Sequence, residues 1–171
     1  MRFGVLNGSD LPLILAATET IASLYRTVNS YPHLAETRWP GNSEEETDAE
    51  LASDAGAILD GIYASQLAET AALFDARSSQ GRVATDISGI ARLATLGAVD
   101  TLLVDIDASV PGTVDEGTGA VEFDDDTGAS SYGVLDELAR RVYLAGGCVL
   151  AVRQHNIAGG GPVAAILRFV V

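Results

Sequence analysis

The chain has 171 residues, with 24 acids against 10 bases and a net charge of −14; all ten bases are arginine. The length fits one domain, or one domain and part of another, with a sizeable core. The acidity works against autonomous nucleic-acid binding, which needs clustered basic side chains, and leaves docking on basic protein surfaces open.

No run is apolar and long enough to span a bilayer, and "RFGVLNGSD" after Met1 lacks the pattern of a signal peptide. A cytoplasmic location is expected. The single cysteine, Cys148, excludes an intrachain disulfide. It sits in the apolar "GGCVLAV", which predicts a buried, slowly reacting thiol.

In chain order, "DLPLILAAT" (10–18) predicts a short buried strand, with Pro12 at its start where a missing N–H is tolerated. Ile21, Leu24, Tyr25 and Val28 follow at helical spacing. "YPHLAETRWPGNSEEE" has the composition of a polar loop, with Trp39 expected to pack back on the body. "TDAE" (47–50) has the form of a capping box. The apolar series Leu51, Ala55, Ile58, Leu59, Ile62, Tyr63, Leu67 and Phe74 then predicts a helix over about 48–77, broken at "SSQGR".

Beyond that point Thr85 or Asp86 can cap a helix carrying Ile87, Ile90, Ala91 and Ala94, with Gly97 as its stop. "TLLVDI" (101–106) reads as a buried strand and residues 110–128 as a hairpin with glycine turns. Ser130 or Ser131 can cap a helix whose inner face is Leu135, Leu138, Ala139 and Val142. Its Glu137 and Arg141, four apart, make a surface pair. "CVLAV" and "VAAILRFVV" are two further buried strands. Helix and strand alternate, which argues for a layered α/β domain. Its expected core includes Ile87, Ile90, Leu102, Val104, Leu135, Leu138, Val149, Ala151, Ile166 and Leu167.

Three stretches invite a chemical reading. Gly159, Gly160, Gly161 and Pro162 form a glycine run, but a phosphate cradle needs such a run to open a helix, and here an apolar strand follows. A backbone turn is the expected role. Asp105 and Asp107 lie at the end of a strand, where α/β ligand sites gather. With "DDD" (124–126) they make a weak acid site for a hard cation. His33 and His155 have no second ligand at metal spacing. Arg140, Arg141, Arg153 and Arg168 could form a small basic spot, and pairing with the many acids is the expected outcome.

"GRVATDISGIARLATLGAVDTLLVDID" resembles the opening of the C-terminal domain of archaeo-eukaryotic class 1 peptide-chain release factors and Pelota. "LAGGCVLAV" is similar to that domain's second core strand, and "GGGPVAAILRF" to its closing signature. "LPLILAAT" resembles the "LILAG" strand late in the family's central domain. Taken in order, the four stretches resemble the bacterial relatives of those release factors.

The resemblance implies a three-layer α/β sandwich at residues 82–171, preceded by a connecting helix at 48–81 and a central-domain remnant at 1–47. The family's Gly-Gly-Gln loop lies upstream of "LILAG", and there is no room for it before residue 10, so no catalytic residue or cofactor carries over. The implied function is a non-catalytic module that docks on the ribosome or a translational GTPase. The alternatives are a metal-assisted phosphohydrolase using Asp105 and Asp107, and binding of structured RNA, which the charge disfavours. A buried strand at 10–18 with almost nothing upstream also lacks a partner, which predicts self-association through residues 1–30, with Leu13 and Leu15 central.

Overall fold

The computed structural model describes residues 11–37, 39, 47–124 and 133–170, and the chain divides into two compact units, Met1–Leu67 and Ala68–Val171. Among the described residues no helix is long and apolar enough to cross a membrane.

In the first unit the apolar stretch at 13–16 does not stand alone. The N–H of Leu13 donates to the His33 carbonyl at 2.8 Å, that of Ala35 to Leu13 at 2.9 Å, and that of Trp39 to Leu15 at 3.1 Å. Two parallel bridges result, Leu13 with Leu34 and Ala16 with Trp39. Helix α1 (Glu19–Val28) is the crossover between them. This corrects two expectations: Leu34 and Trp39 pair rather than lying in a plain loop, and Leu13 and Ala16 form isolated bridges to them within the chain rather than a buried strand. The prolines and charges around "HLAETRW" hid the pairing. Trp39 does pack back on the body: it is buried, and its indole N–H donates to Asp54 at 2.8 Å.

Helix α2 (Asp48–Ser78) begins where the capping box predicts. The Thr47 N–H donates to the Glu50 carboxylate at 2.9 Å, and the Glu50 N–H donates back to the Thr47 hydroxyl oxygen at 3.4 Å.

The second unit is built on a four-stranded sheet ordered β1 (Val83–Ala84), β6 (Val163–Leu167), β2 (Val99–Asp105), β5 (Cys148–Val152). β2 and β5 run parallel; β6 is antiparallel to β1 and β2. The inner strand β6 is buried at every position, as a strand covered on both faces must be. Helices α3 (Ile87–Thr95) and α4 (Val134–Leu144) lie on one face. There Ile90, Ala94, Leu135, Leu138 and Val142 pack with Val99, Leu102, Val163 and Ala165. Each large side chain fully buried here contributes about 1.5–3 kcal/mol. Leu103, Ala164 and Ile166, which alternate with those residues, are also buried. The end of α2 from Ala68 onward belongs to this unit and buries Phe74. The mixed α/β architecture is the one the sequence implies.

Asp86 caps α3, its carboxylate accepting the Gly89 N–H at 2.7 Å. α4 starts after Gly133 as its N-cap; Ser130 and Ser131 fall outside the described residues. Between β2 and α4 stands the expected hairpin, β3 (Gly112–Val114) with β4 (Val121–Phe123). Its turn residue Gly119 has φ +70° and lies so near α3 that an added Cβ would meet the Ala91 carbonyl at 2.7 Å.

Of the expected core, Ile90, Leu102, Leu135, Leu138, Ile166 and Leu167 are buried, and Ile87, Val104 and Val149 pack against them half-buried. Ala151 and Cys148 are exposed. The reason is position: β5 is the sheet's edge strand, paired on one side only, so apolar composition overstated its burial. The Cys148 thiol is pushed up from its ordinary pKa by partial desolvation and then by the Asp100 carboxylate. Cys148 is therefore expected to be alkylated completely in the native protein, slowly near neutral pH and faster above pH 9, because the thiolate is the reactive form. A rate series against pH checks this; native protein left unmodified at high pH would mean a closed site.

Candidate functional site

α3 and α4 end in the same way. After α3, the Gly97 N–H donates to the Ala94 carbonyl at 3.0 Å and that of Ala98 to Leu93 at 2.9 Å, with Gly97 at φ +68°. After α4, the Gly146 N–H donates to Tyr143 at 3.0 Å and that of Gly147 to Val142 at 2.8 Å, with Gly146 at φ +73°. These are two Schellman motifs, read from "TLGAV" and "LAGGC". Each feeds a strand directly, α3 into β2 and α4 into β5. Because those strands are parallel neighbours, the two helix ends come out side by side at one end of the sheet. β6, running the other way, delivers its C-terminal end to the same place. There the Arg168 N–H donates to the Ala98 carbonyl at 2.9 Å, and its guanidinium to the Ala145 carbonyl at 3.0 Å.

Between the helix ends runs an open groove of about 610 Å³, lined by Leu96, Gly97, Arg140, Leu144 and Ala145 and edged by Glu116 of the hairpin. Leu96 is 66% exposed and Leu144 68%. Tyr143 and, beyond Arg168, Phe169 and Val170 are exposed too. Large apolar side chains turned to water beside a polar rim have the chemistry of a protein contact.

Arg141 fixes the groove's floor. Its guanidinium donates to Glu137 at 2.7 Å, to the Thr95 hydroxyl at 2.6 Å, and to the carbonyls of Val114 and Asp115 at 3.0 Å each. One side chain thus ties α4 to α3 and to the hairpin. Only 9% of it is exposed, so the expected surface pair with Glu137 is largely buried. Arg140 also grips Glu137, at 2.7 and 2.8 Å. Glu137 is held down to a pKa of about 2, first by the hydrogen bond from Arg140 and then, against some desolvation, by that from Arg141. In the hairpin turn, Asp115 is lowered by accepting from the Thr118 hydroxyl at 2.6 Å and its N–H at 2.7 Å.

The residues singled out in the sequence lie elsewhere. Asp105 is buried, and its carboxylate accepts the Asp107 N–H at 3.1 Å, closing the turn after β2. Asp107 forms an ion pair with Arg153. Among the described residues no group of three His, Cys, Asp or Glu is placed to hold a metal ion. Of "DDD" only Asp124 is described. Gly159 and Gly160, at φ +87° and +69°, shape the turn into β6, and the Pro162 carbonyl accepts the Asp105 N–H at 2.9 Å. An added Cβ at Gly159 would press on Thr85 at 3.1 Å. His33 stacks edge-on with Tyr31 at 5.5 Å, and His155 is exposed in the 3-10 turn after β5. Leu96 and Leu144 were not singled out. The repeated helix-glycine-strand pattern was their signal.

Known proteins share part of this sequence and its fold. Residues 2–65 match the model of bacterial archaeo-eukaryotic release factor family 11. The chain also resembles solved structures. The C-terminal domain of a peptide chain release factor from Methanosarcina mazei is 18% identical, with a TM-score of 0.54, over 74% of this chain and 98% of that one. Pelota from Archaeoglobus fulgidus is 18% identical at a TM-score of 0.50, over 91% and 47%. An archaeal Pelota from a ribosome-bound assembly with ABCE1 is 22% identical at 0.51, over 88% and 40%. At such identities the likeness is one of fold. The chain spans less than half of each Pelota. No curated protein matches it. The bacterial release-factor resemblance and the Pelota-like α/β fold expected from the sequence are both borne out.

Proposed function

We propose that this chain is a non-catalytic, release-factor-related module that docks on the translation machinery through protein contacts. Residues 82–171 act as the C-terminal-type domain, 48–81 as the connecting helix, and 1–47 as a portion of a central-type domain. The observation that carries the reading is the groove between the ends of α3 and α4, with Leu96 and Leu144 exposed on it. A release-factor match at residues 2–65 and a Pelota-like fold supply the context, since one of the matched Pelota structures is a model of the ribosome-bound protein. The net charge of −14 suits basic protein partners and opposes direct binding to RNA phosphates.

Cosedimentation with bacterial 70S ribosomes, empty and stalled, tests this. Association is expected to weaken as salt rises, because charge steers the encounter. It is expected to fall about tenfold or more in the Leu96→Asp, Leu144→Asp double variant, the scale on which loss of apolar anchors acts. Both positions are exposed, so the fold should persist. No association at any salt concentration, with or without a stalled complex, would refute docking on the ribosome.

A further inference from the structure

The four-stranded sheet ends differently at its two edges. β1 closes one edge with Val83 and Ala84 alone, too short to template another strand. β5 forms the other edge with Cys148–Val152 and keeps an unbroken register with β2, from Thr101 beside Cys148 to Asp105 beside Val152. The Val152 carbonyl accepts the Ile106 N–H at 2.9 Å, so the peptide groups of Val152 face β2. Alternate residues of a parallel strand turn the same way. Leu150 and Cys148 therefore face β2 as well, while Val149 and Ala151 point their N–H and C=O groups away from the sheet. Among the described residues no donor or acceptor meets those outward groups. Ala151 and Cys148 are exposed, which leaves the edge open to approach. Edge strands are ordinarily blunted by a charge, a proline or a bulge, and "CVLAV" has none of these.

We infer that the β5 edge binds an extended, basic peptide segment of a partner protein, which adds to the sheet as a further strand. The unpaired groups select the backbone of the occupant. N–H and C=O groups repeating at every second residue match an extended chain, whereas a helix spends its own peptide groups internally. Charge selects the side chains. Asp100 is exposed, stands near Cys148 at one end of the strand, and has no ion pair among the described residues. A Lys or Arg flanking the incoming strand gains that carboxylate. A second copy of this chain would instead bring another net −14 to the same edge. The site is made by the backbone of Val149 and Ala151 and uses neither Leu96 nor Leu144, so it stands independently of the docking groove.

Panning a phage-displayed library of random heptapeptides against the full chain, with Ala151→Pro as the counter-selection, tests the inference. Proline at 151 removes an outward N–H and no bond to β2, a change that edge strands tolerate; an unchanged far-ultraviolet circular dichroism spectrum checks the fold. The surviving peptides are expected to be rich in Val, Ile and Thr, with Lys or Arg at one end. A synthetic copy of the leading peptide should bind about tenfold more weakly to Ala151→Pro, the scale of a lost backbone hydrogen bond, and measurably more weakly to Asp100→Asn. Bound peptide should slow hydrogen exchange at the amides of Val149 and Ala151, which are open in the free chain. The amides of Leu150 and Val152, already bonded to β2, should change little. As a readout that needs no variant of the protein, N-methylation of one alternate set of the peptide's amides should abolish binding, and of the other set leave it intact. Peptides that bind wild type and Ala151→Pro equally, selected peptides without basic residues, or tolerance of both N-methylated sets would overturn it. So would protection of Val149 and Ala151 that rises with protein concentration alone, which would assign the edge to a second copy.

Discussion

Arg141→Met is expected to lower stability by about 3 kcal/mol, the range for removing one partner of a largely buried ion pair. For a chain of this size that is a fall in melting temperature of roughly 6–12 °C. Methionine keeps much of the stem's volume, so the loss is that of the guanidinium. Thr95, Val114 and Asp115 lose a donor at once, and the hairpin loses its tie to α3 and α4. Arg140→Met is the control. It removes a partner of the same Glu137, but its side chain is 57% exposed and holds no second element, so only a small effect is expected. Equal melting temperatures in the two variants would show that Arg141 is one more surface cation. The groove should feel the difference too, since Arg141 forms part of its lining.

The same cluster sets an acid limb. Glu137 has a folded pKa of about 2 against an ordinary 4.5, because Arg140 and Arg141 hydrogen-bond to its charged form. Its contribution is complete above pH 4.5 and is lost as pH falls through 2. The unfolding midpoint should therefore fall as pH drops from 5 to 2 in the wild type, and fall less in Glu137→Gln.

Where elements were legible in the sequence, one local signal sufficed. Thr47 and Glu50 announce α2, Asp86 announces α3, and the unbroken "VAAIL" announces an inner strand. The misreadings are all tertiary. Cys148 and Ala151 sit in a run as apolar as β6, and only the strand order shows that β5 is an edge. Residues 33–35 and Trp39 look like a loop because their pairing with Leu13 and Leu15 depends on α1 turning the chain back. Glu137 and Arg141 have the spacing of a surface pair, and it is the hairpin packed over them that buries the arginine. The groove belongs to the same class. Gly97 and Gly146 were readable as helix stops, but nothing local says that the two ends are neighbours. That follows only from β2 and β5 being adjacent and parallel.

Trp39→Ala is expected to unfold the pairing of the first unit while leaving the sheet of the second in place. Among the described residues of Met1–Leu67 the buried apolar side chains are Ala22, Ala35 and Trp39, so Trp39 is the one large side chain fully buried there. Truncating a buried tryptophan costs about 3–5 kcal/mol, and two alanines cannot repack the space. The indole N–H is lost as well, leaving the Asp54 carboxylate without that donor. Hydrogen exchange should show the result residue by residue. The amides of Leu13 and Ala35, which close the bridge of Leu13 with Leu34, should lose their protection, and those of Leu102 and Val104 in β2 should keep theirs. Trp39→Phe retains most of the apolar area and gives up only the N–H, so it should cost about 1 kcal/mol and preserve the bridges. If Leu13 and Ala35 exchange at wild-type rates in Trp39→Ala, the tryptophan is not what holds the strand, and α1 and the backbone pairing must suffice.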